Sequence, residues 1–235
     1  MRAIILAFGL FLAATPSWAQ TEQTPADSAT PPPGGQTTPD QAAPAPTPAP
    51  AVTNPPMTGP KLLISTSMGD ITLQLDSVRA PKSVANVLRY VREKHYDGTV
   101  VYRVVKGFVI QMGSFGAHNK GRGVDPGGVK LESDNGLHNV RGAAALAHGD
   151  DPDSATADFF IDVGDDTALD KSDSSVGYAV FGQVSDGMDV VDKINQVAVG
   201  DDGPMKGQAP VDPILITKIS VIGEPAPKAA TKKSK

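Results

Sequence analysis

The chain lacks cysteine altogether, has a single tryptophan among its 235 residues, and draws only 5% of them from Phe, Trp and Tyr. Without thiols there is no disulfide framework, no thiolate nucleophile and no cysteine-ligated metal centre. The 4 histidines, His95, His118, His138 and His148, fall at no metal-ligand spacing and read as solvated or structural. Carboxylates crowd at Asp150, Asp151 and Asp153 and again from Asp165 to Asp173, but the glycine and closing Glu of a D-x-D-x-D-G calcium loop are missing. No G-x-S-x-G elbow offers a serine nucleophile. The Gly121-Arg122-Gly123 and Gly127-Gly128 runs lack the strand-turn-helix setting of a phosphate cradle and read as loops. With a net charge of -5 and its 21 Lys and Arg scattered rather than striped, the chain offers no nucleic-acid surface.

The two ends are too biased to pack. Residues 1–19 read as an export signal, with a short membrane anchor as the other reading: Arg2 is a positive start, Ala3 to Ala14 an apolar run too short to span a bilayer comfortably, and Ser17-Trp18-Ala19 a small-x-small cleavage site. The mature protein is then expected to begin near Gln20, in the periplasm, with no stable membrane insertion. The absence of Cys after the apolar run excludes a lipid-anchored lipoprotein. From Gln20 to Pro60 the chain is rich in Pro, Ala, Thr and Gln, as in Pro44-Ala45-Pro46-Thr47-Pro48-Ala49-Pro50, and reads as a semi-rigid spacer. A ligand for proline-binding modules, or a substrate for the chain's own domain, is the other reading of this stretch. Residues 224–235 read as a weakly basic tail. What remains, 61–223, is about 160 residues, enough to bury a core.

Within that span the pattern changes. Ile71, Leu73 and Leu75 alternate with polar residues after a Met68-Gly69-Asp70 turn that follows Leu62-Leu63-Ile64, which predicts a hairpin. Pro81 opens a helix whose Val84, Val87, Leu88 and Val91 share one face. Val100 to Val105, Phe108 to Met112, Ala143–Ala147, Phe159–Val163, Tyr178–Val184 and Ile214–Val221 read as strands, and Met188 to Ile194 as a second helix. Many short strands with only two helices argue for an antiparallel barrel, because closure removes exposed edges.

Two segments carry the chemistry. Val101-Tyr102-Arg103-Val104-Val105 leads to Phe108-Val109-Ile110-Gln111-Met112-Gly113, placing a lone cation, an aromatic and an amide in strand-like sequence. Ser154-Ala155-Thr156-Ala157-Asp158-Phe159-Phe160-Ile161 carries two consecutive aromatics. Together with Asn139-Val140-Arg141-Gly142 and Tyr178-Ala179-Val180-Phe181-Gly182-Gln183-Val184, they resemble the signature of cyclophilins, the peptidyl-prolyl cis-trans isomerases, over roughly Lys61 to Gly223. The resemblance implies a mainly β fold, an eight-stranded antiparallel closed barrel capped by two α-helices. It implies a cofactor-free, metal-free monomer that isomerises X-Pro bonds in proline-containing polypeptides.

Residue by residue, Arg103 matches the family's catalytic arginine and Gln111 the amide that orients it. Phe108, Val109 and Phe160 match the proline pocket; Leu146, Ala147 and Leu169 match apolar or backbone contacts around it. Val109 stands where many relatives carry Met, Ala168 where a bulky aromatic is common, and Tyr178 where some have His, which bears on cyclosporin sensitivity. Asp158 replaces the usual groove-lining glutamine, an acceptor-only carboxylate in place of an amide; there it is expected to repel acidic peptides or to pair with Arg103, the competing reading being that it points into solvent or caps a neighbouring loop. The expected function is therefore a periplasmic isomerase that assists folding in the cell envelope. A catalytically weakened proline-peptide-binding module and an envelope chaperone or scaffold are the competing readings.

Overall fold

The structure, a computed structural model, describes residues 52–125 and 127–224. The export signal, the spacer up to Ala51 and the tail beyond Glu224 lie outside the described residues.

Among the described residues twelve strands and two α-helices follow in chain order. They are β1 (Lys61–Thr66), β2 (Gly69–Leu75), α1 (Pro81–Arg92), β3 (Thr99–Val105), β4 (Val109–Met112), β5 (Phe115–Gly116), β6 (Lys120–Gly121), β7 (Ala143–Leu146), β8 (Phe159–Asp162), β9 (Ala179–Asp186), α2 (Met188–Asn195), β10 (Val199–Asp202), β11 (Met205–Pro210) and β12 (Ile214–Val221). Eight of them close a barrel in the order β1-β12-β3-β4-β8-β7-β9-β2, and β5-β6 and β10-β11 form separate two-stranded ribbons. Every barrel pairing is antiparallel. Among the described residues no helix is long and apolar enough to cross a membrane.

Alternation along the strands builds two separate apolar clusters. Ile64, Ile71, Leu73, Val104, Ile110, Met112, Leu146, Phe159, Ile161 and Phe181 turn inward with the buried faces of both helices. Val109, Ala143, Ala145, Phe160 and Val180 turn outward and are sealed by Leu137. The edges of the inner cluster are aromatic: Tyr96, Phe159 and Phe181 meet ring edge to ring face at 5.7 and 5.9 Å.

The helix α1 has no side-chain cap at Ala80, and Pro81 removes one of its orphan donors. Glu132, far along the chain, supplies the rest: its carboxylate accepts from Lys82 N at 3.1 Å and from Ser83 N and Oγ at 2.8 Å each. A negative group at the positive helix end satisfies both hydrogen bonding and the macrodipole. Just upstream, Asp76 is fully buried and accepts from Val78 N, Arg79 N and the Arg79 guanidinium. Burial pushes its carboxyl up, but these hydrogen bonds and the Arg79 charge together hold it below its ordinary value.

Residues 52–60, assigned by composition to the spacer, run along the barrel. Asn54 donates to His138 O at 2.9 Å and to Gln183 Oε1 at 3.1 Å and accepts from His138 N at 2.7 Å. Met57 packs on the outer cluster, and Pro60 O accepts from Leu75 N.

Candidate active site

Arg103 lies on β3 opposite Gln111 of β4, and Gln111 in turn lies opposite Phe160 of β8. The strand register thus sets cation, amide and aromatic side by side across three strands. A register shift between Val101 and Arg103 leaves both Tyr102 and Arg103 off the inner face while Val101 and Val104 stay in it. Partial burial lowers the Arg103 pKa from its ordinary value, opposed by Tyr102 and Tyr178; an arginine so placed remains a cation at physiological pH.

The guanidinium is held at two of its three nitrogens. Nη1 donates to Gln111 Oε1 at 3.1 Å, and Nε donates to Gln208 Oε1 of β11 at 2.6 Å. Nη2 has no acceptor among the described residues.

Beside this cation the outer cluster opens to solvent. Phe108, Ala147, Leu169 and Tyr178 are partly buried and pack on Val109, Ala145 and Phe160. Phe160 meets Tyr178 at 5.4 Å, ring edge to face, and Tyr178 is stacked on its other side by His148 at 4.6 Å. The imidazole is fixed between Gly149 O at 2.7 Å and Gly177 O at 3.0 Å. The structure therefore brings together Arg103, Gln111, Phe108, Val109, Phe160, Ala147, Leu169 and Tyr178. The patch is shallow. A concavity between β3 and the β10–β11 ribbon is lined by Val100, Tyr102, Asp202, Ala209 and Pro213.

Two expected positions differ. Leu146 is 2% exposed and belongs to the inner cluster. It follows outward-facing Ala145, so strand alternation turns its side chain into the barrel, away from the groove. Asp158 does not pair with Arg103. Its carboxylate accepts from Ser114 N at 2.8 Å and Ser114 Oγ at 2.6 Å. Although the residue keeps some exposure, its carboxyl is enclosed: a Cβ on Gly113 would stand 2.7 Å from Asp158 Oδ1 and 2.5 Å from Ala157 O. Gly113 at φ +141 is what allows this approach. Burial pushes the Asp158 carboxyl up, opposed by the Ser114 hydrogen bonds and the nearby Tyr102 hydroxyl, and pushes the Tyr102 phenol well above its ordinary value. Asp158 is thus a clasp between β8 and the segment after β4, which the short reach of an aspartate suits and that of a glutamine does not.

Two neighbours were not singled out from sequence. His148 read only as a structural histidine, and nothing in its context marks the stack on Tyr178. Gln208 sits in a Gly- and Pro-rich stretch 105 residues from Arg103, where no local pattern points to an arginine. Among the described residues no three of His, Asp and Glu converge as a metal-binding group.

By architecture this is a closed eight-stranded antiparallel barrel with two helices, bearing its polar and aromatic cluster on the outer wall. The family described as "Cyclophilin type peptidyl-prolyl cis-trans isomerase/CLD" matches residues 61–221. Over 165 residues, 70% of this chain and 86% of the relative, the chain is 44% identical to peptidyl-prolyl cis-trans isomerase A of Dickeya dadantii. It is 43% identical over 160 residues, 66% of this chain and 96% of the relative, to peptidyl-prolyl cis-trans isomerase B of Escherichia coli. A solved cyclophilin-type isomerase from Cryptosporidium parvum superposes with a TM-score of 0.57 at 24% identity, covering 71% of this chain and 99% of that one. The chain belongs to the cyclophilin family and is a peptidyl-prolyl cis-trans isomerase.

Proposed function

We propose that this isomerase is exported and acts in the cell envelope on X-Pro bonds of unfolded or flexible polypeptides, with Arg103 as its catalytic residue. Rotation about the X-Pro bond is opposed by roughly 18–20 kcal/mol because nitrogen lone-pair density is delocalised into the carbonyl. Twisting returns that density to the nitrogen, so a fixed donor there stabilises the transition state more than either planar ground state. The observation that carries this reading is the guanidinium of Arg103, held at Nε and Nη1 with Nη2 unengaged, beside an apolar patch open to solvent. Phe108, Phe160, Leu169 and Tyr178 would grip the proline ring while the backbone of the substrate crosses the arginine. A cyclophilin-type isomerase solved in the presence of the dipeptide ala-pro is in keeping with a proline-sized site on this fold.

The envelope assignment rests on residues 1–19, followed by the Pro-rich spacer. The test is twofold. The purified full chain should isomerise a short Ala-Pro peptide, and titration with that peptide should perturb Phe160, Leu169 and Tyr178 signals where an Ala-Ala analogue does not. In a producing bacterium the chain should appear in the periplasmic fraction cleaved near Gln20. Full-length chain confined to the cytoplasm would overturn the export reading and leave the catalytic one standing.

A further inference from the structure

We propose that Gln208 is a positioning residue for the isomerase, fixing the plane of the Arg103 guanidinium from the β10–β11 ribbon. The inference rests on Arg103 being the donor to the substrate. A half-exposed arginine has a long, flexible stem and loses about 2 kcal/mol of rotamer freedom when ordered. One hydrogen bond, Nη1 to Gln111, leaves the planar group free to pivot about that contact. The second, from Nε to Gln208 at 2.6 Å, engages a different edge of the same plane. Two contacts on different edges define the plane, and Nη2 is then presented in one direction.

The two amides come from independent parts of the molecule. Gln111 belongs to β4, the barrel neighbour of β3. Gln208 belongs to a ribbon that is no part of the barrel and lies against β3. That ribbon is itself anchored. Gly207 N donates to Asp201 Oδ1 at 2.7 Å, Val211 N donates to Ala198 O at 3.0 Å, and Ala209, next to Gln208, is 4% exposed. Its backbone therefore offers the Gln208 oxygen from a set place. Nε–H is only a donor, so the partner atom of Gln208 must be its carbonyl oxygen. A side chain of equal length without that oxygen should fill the space and fail to orient the arginine.

The experiment compares Gln208→Met and Gln208→Glu with the parent, using the full chain and a neutral Ala-Pro peptide. Gln208→Met should lower kcat about tenfold, the scale of one lost orienting hydrogen bond, with KM changed less than about twofold, because the contact matters where the donor acts. Gln208→Glu keeps an acceptor at the same reach and should stay within about threefold of the parent in kcat, the residual change reflecting its charge. The ¹⁵Nε–¹Hε signal of Arg103 should be protected from solvent exchange in the parent and in Gln208→Glu and lose protection in Gln208→Met. Parental kcat in Gln208→Met, or Nε protection surviving there, overturns the proposal. So does a loss of kcat accompanied by a fall in Tm and shifts throughout the barrel, which would make Gln208 merely structural. Arg103→Ala separates the two levels. If it isomerises at the parental rate, the assignment of Arg103 fails; if it is inactive while Gln208→Met is unimpaired, only the role of Gln208 fails.

Discussion

The inner and outer faces of β4, β7 and β8 are cut from the same short stretches, yet one is sealed and the other is left open. Phe159 and Phe160 are adjacent; the first is locked between Tyr96 and Phe181 inside the barrel, the second meets only Tyr178 among the rings outside. Inside, Phe159 packs among other buried residues of the barrel. Outside, the cluster includes partly buried Phe108, Ala147, Leu169 and Tyr178, surfaces that a protein leaves wet only where something else is to cover them. The difference teaches that stability and catalysis are divided between alternate residues of one strand, so neighbouring substitutions should separate them.

The largest effect expected from this contrast is on stability. Phe159→Ala should cost about 5 kcal/mol, because the packed interior cannot collapse around the hole, and Phe160→Ala about 3 kcal/mol, because its cluster is open on one side. In folded protein, Phe160→Ala should also weaken Ala-Pro peptide binding more than tenfold. Denaturant titration and peptide titration of the two variants measure both. Equal stability loss with equal affinity loss would erase the distinction between the faces.

A second effect sharpens the contrast by pH. Asp162 follows Phe160 on the outward alternation, yet it is fully buried, and both its carboxyl oxygens lack partners. Burial, with the Asp166 and Asp170 carboxylates nearby, raises its pKa from 3.8 to about 9. The folded protein thus keeps a proton that the unfolded chain has released, and this residue's contribution to stability falls as pH rises through that window. Asp162→Asn should be more stable than the parent by about 2–4 kcal/mol at pH 8, with the gain shrinking toward pH 5. Melting curves at the two pH values check it, and a gain independent of pH would mean that the carboxyl ionises freely in the folded state.

The smallest expected effect concerns Asp158. As a clasp on Ser114, its loss in Asp158→Asn should cost about 1–2 kcal/mol of stability and change isomerisation of Glu-flanked and Lys-flanked peptides by one common factor. A rate ratio between those peptides that moves more than threefold would put its charge in the groove after all.

Most of the barrel could be read from sequence because its strands are short, alternating and rich in β-branched residues, and because Pro81 and the Val84, Val87, Leu88, Val91 spacing mark α1. Motif context singled out Arg103, Phe108 and Phe160, and the strand register places Arg103 and Phe160 on either side of Gln111 with Phe108 packed on the same outer cluster. The β10–β11 ribbon was not: Val199-Gly200-Asp201-Asp202-Gly203-Pro204 has the composition of a loop, and its strands form because the ribbon packs on β3. With the ribbon hidden, so was Gln208. In Ala143-Ala144-Ala145-Leu146-Ala147 every residue is apolar, so the pattern carries no phase, and which side Leu146 faces is decided by pairing with β8 and β9. The turn of Asp158 toward Ser114 depends on Gly113 φ, a backbone property that spacing does not reveal.

On the role proposed for it, Arg103 performs the isomerisation from the outer wall without supporting the fold. Isomerisation of a neutral Ala-Pro peptide by the full chain carrying Arg103→Ala tests it most directly. A loss of kcat/KM of about 100-fold or more is expected, the scale of removing one preorganised donor, with Tm within about 2 °C of the parent. Arg103→Lys should recover little of it, since a point charge cannot be held at two edges. Parental turnover by Arg103→Ala in folded protein would contradict the account.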